Sequence, residues 1–298
     1  MSTNKYLTRK YLSDAGIPTP GFRLATTLKE AETALLYINF PLVIKPVDNM
    51  GSRGVTKISS LEELKEGYNR AFQCSTLKQV IIEEYLEGPE YSIDAYMDNG
   101  KFHLLGLADR IFSFLPFFVE IGYTMPSTLS DLDKGALFEL MEKGALAIGI
   151  KNGIIKGDLK ITFNGPRIIE LAVRLSGNRM STEAIPLSNG IDAVKIAIEL
   201  ALGKNPKKIK NNSKEFGFAY RSLLPSVGML KEVKGLKSSK LIKGIVDVVI
   251  KIKPGDMIPQ FKCSADSIGY VIASCETREE SVAKAEMARD KIRFIVES

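Results

Sequence analysis

Histidine is almost absent from this chain. Of 298 residues one is histidine, His103, in a stretch that reads as a strand. No nucleophile stands out near it, so a histidine-based catalytic triad is excluded. His103 is expected to be a packed or surface residue. Cysteine is scarce too. Cys74, Cys263 and Cys275 are widely spaced and odd in number, which gives neither a disulfide framework nor a zinc pattern and fits a reducing cytoplasm. No apolar run is long enough to span a bilayer, which argues against a membrane protein. No apolar signal segment follows Met1–Lys5, and no internal repeat is evident.

The formal charge is +6, and the stretch from Lys204 to Lys214 holds five lysines among Asn and Pro. It lacks interleaved aromatics, so it reads as a solvated loop rather than a nucleic-acid-binding tail. With 26% charged and 45% hydrophobic residues, the chain can bury a sizeable core in two or three lobes.

Three segments then carry chemistry, in a fixed order. Phe40-Pro41-Leu42-Val43-Ile44-Lys45-Pro46 reads as a short buried strand ending in a lysine. An ammonium there can hold phosphate oxygens as a point charge. Met50-Gly51-Ser52-Arg53-Gly54-Val55 is a Gly-rich loop able to turn N–H groups toward a polyphosphate. A plain hairpin turn beside an exposed lysine is the other reading of these two. Gln79 to Leu86 is a further strand, running into the hinge Glu87-Gly88-Pro89-Glu90. Glu83 and Glu84 are adjacent on it, so at most one of them faces a site.

Downstream, Ile154–Thr162, the turn Phe163-Asn164-Gly165-Pro166 and Arg167–Arg174 form a hairpin-like pair. Asp158 and Glu170 can lie near each other across it. Two carboxylates facing one pocket repel unless a cation sits between them, and Mg²⁺ suits such a pair with phosphate oxygens and water. A cross-strand pairing with Lys156, Lys160 or Arg167 is the alternative.

The remaining pattern is α+β. Residues 5–15 read as a helix, followed by strand, helix and strand up to Lys45. Val55–Ile58 is a strand, and Ser60–Phe72 a helix with Ser60-Leu61-Glu62-Glu63 as a capping box. Tyr91–Met97 and Lys101–Ala108 flank the turn Asp98-Asn99-Gly100 as a hairpin. Leu132–Ile148 is a helix, as are Ser181–Pro186 and Ile191–Leu202. Strands and turns follow from Phe216, closing with a helix over Arg278–Val296. The expected units are residues 1–86 (first helix and small lobe), 87–214 (large lobe with the carboxylate hairpin) and 215–298 (C-terminal α/β subdomain).

This ordered set resembles the ATP-grasp superfamily of carboxylate–amine ligases, in particular the branch of the carbamoyl-phosphate-synthase large subunit and the L-amino-acid ligases. The resemblance covers most of the chain. It implies the ATP-grasp fold, two α+β lobes with the nucleotide between them. It implies that ATP is held by Lys5, Lys45 and the loop Gly51, Ser52, Arg53 and Gly54. The adenine would lie against backbone groups of Glu84 and Leu86, with Glu83 near its exocyclic amine, and Glu90 would bind the ribose. Asp158 and Glu170 match the Mg²⁺ ligands, with Mn²⁺ an acceptable substitute. Arg174 matches the arginine that steadies the transferring phosphate, so Arg174 and Lys45 are the catalytic candidates. The surplus positive charge suits ATP and an anionic carboxylate.

The implied reaction joins a carboxylate to an amine or a thiol through an acyl phosphate. The implied partners are those small molecules, with no nucleic acid and no membrane, and a homodimer is left open. Two departures stand out. The first carboxylate is more often Glu, and Ala172 stands where Asn is common. Such enzymes usually carry an N-terminal α/β domain before the Lys5 helix. The expectation is therefore either a fragment or split-gene product, or a lobe supplied by another chain. The alternative function is an ATP-binding subunit without independent ligase activity.

Overall fold

The computed structural model describes residues 3–204, 206 and 215–297. Most of the lysine-rich stretch from Lys204 to Lys214 lies outside the described residues.

The first helix, Lys5–Asp14, starts at Asn4, whose side chain accepts from the Leu7 N–H. The expected small lobe follows as a four-stranded antiparallel sheet. Its order is Phe22–Ala25, Val80–Glu84, Leu42–Pro46 and Thr56–Ile58. Leu42, Ile44, Ile58, Val80 and Ile82 pack beneath the helices Leu28–Ala34 and Leu61–Cys74. The lysine strand lies inside this sheet, paired on both edges, and all but Val43 of its residues are buried, in keeping with its almost continuously apolar sequence. The expected capping box at Ser60 is not made. Ser60 occupies the N-cap without a side-chain capping bond to the helix backbone, and the Glu63 carboxylate reaches past it to the Ser59 N–H at 2.7 Å.

The second sheet has eight strands. Glu90–Asp98 is central and pairs with Lys101–Ser113 on one side and Gly153–Thr162 on the other. Gly165–Ala172 closes that edge, and Val119–Met125 continues the opposite one. The helix Asp131–Ala147 covers one face, burying Leu137, Leu140 and Met141 against Ile93, Ile155 and Ile168. The sheet then runs across the boundary expected at residue 214. Gly217–Ser222, Gly269–Cys275 and Ile245–Ile250 extend it in that order, and the helix Arg278–Lys291 packs on them.

The last stretch differs from expectation. The helix ends at Lys291, and Arg293–Glu297 is a strand paired with Gly228–Lys234. Arg293-Phe294-Ile295-Val296-Glu297 is rich in aromatic and β-branched residues, which favours a strand. His103, expected as a packed or surface residue, is partly buried and stacks on Tyr96 at 4.6 Å between ring centroids. Among the described residues no helix is long and apolar enough to cross a membrane.

Candidate active site

A cleft of about 540 Å³ opens between the small sheet and the large one. Lys5, Lys45, Gly51, Ser52, Arg53, Glu83, Glu84, Leu86, Glu90, Asp158, Glu170 and Arg174 line it. Of the candidate residues, Gly54 alone does not.

Lys45 enters from the end of the lysine strand and is 5% exposed. Its Nζ lies 2.6 Å from Glu83 Oε2. Glu83 Oε1 accepts from Arg9 Nε at 2.9 Å and Arg9 Nη2 at 2.7 Å. Arg9 also donates to the carbonyls of Ile168 and Ile169 at 2.7 and 2.6 Å. One buried guanidinium thus ties the first helix, the small sheet and the strand that bears Glu170. Burial pushes the Glu83 carboxyl up, but Arg9 and then Lys45 outweigh it and hold it below its ordinary value. Both Glu83 oxygens are therefore engaged by cations, away from the role expected at a base's amine. Glu84 is exposed and accepts from the Gly21 N–H at 3.3 Å. The Leu86 carbonyl accepts from Lys160 Nζ at 2.9 Å.

The loop turns through left-handed backbone at Gly51, Ser52 and Gly54, with φ of 66, 59 and 73°. Gly54 has a packing reason as well. A Cβ there would lie 2.8 Å from the Cys74 Cβ. Lys5 donates to the Asn49 carbonyl at 2.5 Å, just before the loop, and lies 3.5 Å from Glu170. A contact that sequence reasoning missed comes from the far end of the chain. The Ser264 N–H donates to the Gly51 carbonyl at 3.2 Å, and its hydroxyl accepts from the Glu120 N–H at 3.1 Å.

The carboxylate hairpin forms as expected, with Asp158 and Glu170 directly opposite in register. Asp158 is also the centre of an ion cluster. Its Oδ2 accepts from Lys156, and Arg110 Nη1 lies 3.0 Å from Oδ1. That second approach lacks hydrogen-bond geometry, so Oδ1 is buried without a hydrogen bond. Burial raises the Asp158 carboxyl, but Arg110 and Lys156 overcome it and hold it at about 2. Arg110 bonds two further carboxylates, Glu90 at 2.7 Å and Glu120 at 2.8 Å. Glu90, expected on the ribose, is thus paired inside the protein, and burial pushes its carboxyl up despite Arg110. Glu170 is half-buried, its carboxyl lowered chiefly by Lys5 against burial. Arg174 is exposed, its Nη1 on the Leu175 carbonyl at 2.9 Å.

Asp94 was not visible in the sequence as a site residue. It is fully buried beside Lys156 in register, and it accepts from the Ser176 N–H, the Ser176 hydroxyl and the Ser181 hydroxyl. It fixes the turn after Arg174, so the floor of the cleft is held from beneath. The only hint in the sequence was an acid in a run of apolar strand residues, which its distant serines explain only in the fold.

Comparison with known proteins gives two family matches. The ATP-grasp domain family matches residues 38–183, and the L-amino acid ligase C-terminal domain 2 family matches residues 221–297. An uncharacterized protein, y4rH, of Sinorhizobium fredii is 29% identical over 98% of this chain and 61% of its own length. The carbamoyl phosphate synthase large chain of a Thermoanaerobacter species is 25% identical over 67% of this chain, but over 18% of its own length. The L-arginine-specific L-amino acid ligase of Bacillus subtilis is 22% identical over 93% of this chain and 68% of its own. The crystal structure of an L-amino acid ligase from Bacillus licheniformis superposes with a TM-score of 0.84, at 23% identity, over 100% of this chain and 73% of that one. The chain therefore spans less than two thirds of the first two relatives.

Proposed function

Because the chain belongs to the ATP-grasp superfamily, whose ligases are its relatives, we propose that it joins a carboxylate to an amine or thiol at the expense of ATP. The observation that carries this reading is the convergence of Lys5, Lys45, Arg174, Asp158 and Glu170 on one cleft, approached from both sheets.

The nucleotide lies between the sheets, its base against the Glu84–Leu86 hinge and its phosphates under the Gly51–Arg53 loop. Lys45 is a phosphate ligand whose position is set by Glu83 and Arg9, so it reaches the cleft pre-oriented. Lys5 brings a second ammonium from the first helix. The substrate carboxylate attacks the γ-phosphate, giving an acyl phosphate and ADP, and the incoming amine then displaces phosphate. Arg174 faces the cleft from the turn that Asp94 anchors and neutralises the charge on the transferring group. A divalent ion, when bound, neutralises and orients the phosphate oxygens. Glu170 and Asp158, directly opposite each other in register, are the residues that would hold it, and the ion would share Asp158 with Lys156 on Oδ2 and with Arg110, 3.0 Å from Oδ1. The cytoplasm, where ATP is available, is the place for such a reaction.

The second reading, nucleotide binding without turnover, is favoured by one observation: Asp158 is already neutralised by two cations. ATP-dependent phosphate release with pairs drawn from a panel of amino acids and other carboxylates separates the two. Release that depends on both members of a pair supports the ligase. Nucleotide binding with no release above background for any pair supports the second reading.

A further inference from the structure

Resting on the nucleotide reading of the cleft, we infer that Ser264 is a positioning residue for the phosphate loop, and that its turn, Cys263–Asp266, latches the small lobe and slows the departure of nucleotide. The Ser264 N–H donates to the Gly51 carbonyl at 3.2 Å. A trans peptide is planar, so its carbonyl and its N–H point in opposite directions. The Gly51 carbonyl and the Ser52 N–H belong to one such unit, and φ of 66° and 59° at the two residues turns the chain tightly there. With the carbonyl held by Ser264, the Ser52 N–H is turned away from Ser264. Among the described residues that N–H has no acceptor, and Gly51 and Ser52 both line the cleft. The loop therefore keeps a donor for a phosphate oxygen, and the direction of that donor is set by a residue far away in sequence.

The turn that carries Ser264 is built to hold it still. Asp266 Oδ2 accepts from the Lys262 and Cys263 N–H groups at 2.7 and 2.9 Å, and the Asp266 N–H donates to the Cys263 carbonyl at 3.1 Å. None of these bonds uses the Ser264 N–H, which is left to reach Gly51. The Ser264 hydroxyl accepts from the Glu120 N–H at 3.1 Å, and the Glu120 carboxylate bonds Arg110 at 2.8 Å and Asn178 at 2.7 Å. One residue thus ties the phosphate loop to the charged cluster of the large sheet. A second tie comes from the residue two before it. Arg70, on the helix Leu61–Cys74 of the small lobe, donates to the Lys262 carbonyl at 2.8 Å, with its guanidinium 4.2 Å from the centre of the Phe117 ring. Loop and helix are held by the same short segment, so moving the small lobe away from it breaks both bonds.

Proline at position 264 isolates the N–H. Ser264 is the first residue of its turn, where proline is tolerated, and Cys263 before it is extended at φ −157° and ψ 166°, as a residue before proline prefers. Ser264→Pro removes the N–H and the hydroxyl, and Ser264→Ala removes the hydroxyl alone. Each protein is loaded with a fluorescent ATP analogue and Mg²⁺, and release is timed by stopped flow against excess unlabelled ATP, with thermal unfolding measured alongside. Ser264→Pro is expected to release the analogue about fivefold faster or more, the effect of one lost hydrogen bond, and Ser264→Ala to stay within about twofold of wild type. The two variants are expected to unfold at the same temperature. Release at the wild-type rate by a folded Ser264→Pro, or equal release by both variants, would overturn the inference while leaving the nucleotide reading intact. So would faster release that comes with a lower unfolding temperature than that of Ser264→Ala. If Ser264→Pro does not fold, Arg70→Met decides: faster release upholds the inference and release at the wild-type rate overturns it. No saturable binding of the analogue by the wild type would overturn the nucleotide reading and the inference with it.

Discussion

The two sides of the cleft carry the same charge arrangement with different outcomes. On the small sheet Glu83 lies between Arg9 and Lys45. On the large sheet Asp158 lies between Arg110 and Lys156. Each is a nearly buried carboxylate flanked by two cations. The Glu83 group is closed: both oxygens accept, and its guanidinium also holds backbone carbonyls of the opposing strand. In the Asp158 group Lys156 bonds Oδ2, while Arg110 lies 3.0 Å from Oδ1 and pairs with it by charge alone, without a hydrogen bond. Burying a carboxylate demands cations in either place. The two groups thus differ in one contact: at the Glu83 brace both oxygens accept from their cations, and at Asp158 one oxygen is paired by charge without a hydrogen bond.

The comparison breaks most visibly if the brace is cut. Glu83→Ala leaves Arg9 and Lys45 buried without their carboxylate and is expected to cost about 3–5 kcal/mol, read by denaturant unfolding. A loss below about 1 kcal/mol would mean that the brace is ornamental. Next comes the large-sheet side. Glu170→Gln keeps an oxygen but loses the charge, and phosphoryl transfer is expected to fall by about 100-fold or more, while nucleotide affinity changes by less than about tenfold. Equal losses in both would place Glu170 in binding alone.

Lys45→Ala and Arg174→Ala sharpen the contrast further. Lys45 belongs to both the brace and the phosphate site, so its loss should raise the nucleotide KM and lower the unfolding midpoint together. Arg174 is exposed and outside the brace, so its loss should lower kcat with stability unchanged. The smallest expected effect is an acid limb. The Asp158 carboxyl lies at about 2, below its ordinary 3.8. Its contribution is full above about pH 4 and is lost as the pH falls through 2, about 2 kcal/mol in all. Asp158→Asn should therefore flatten stability against pH over that window, checked by thermal melts. A slope identical to wild type would assign the acid limb to other groups.

The strands that carry Lys45 and Asp158 were legible because their signals are local: an apolar run with proline at each end, and a turn between two β-rich segments. The hairpin made it expected that Asp158 and Glu170 can lie near each other, but their direct opposition depends on a register shift between Asp158 and Leu159 that the sequence does not show. Arg9 and Arg110 were not legible. Their meaning depends on partners far away in sequence, Glu83 for one and Glu90, Glu120 and Asp158 for the other, with Arg110 close only to Glu120. For the same reason Glu83 was expected at a ligand rather than in a brace. Alternation showed that only one of Glu83 and Glu84 could turn inward, but not what it would meet. The helix expected through Val296 failed because a charged, amphipathic helix and a short terminal strand are joined with no glycine or proline between Lys291 and Arg293.

The central claim is that the two sheets close on a magnesium nucleotide through these residues. Calorimetric titration of the chain with a non-hydrolysable ATP analogue and Mg²⁺, repeated with Glu170→Gln, tests it directly. The account predicts saturable binding of one nucleotide per chain, with Mg²⁺ strengthening it in the wild type and far less in Glu170→Gln. No saturable binding by the folded wild type, or an equal Mg²⁺ effect in both proteins, would contradict it.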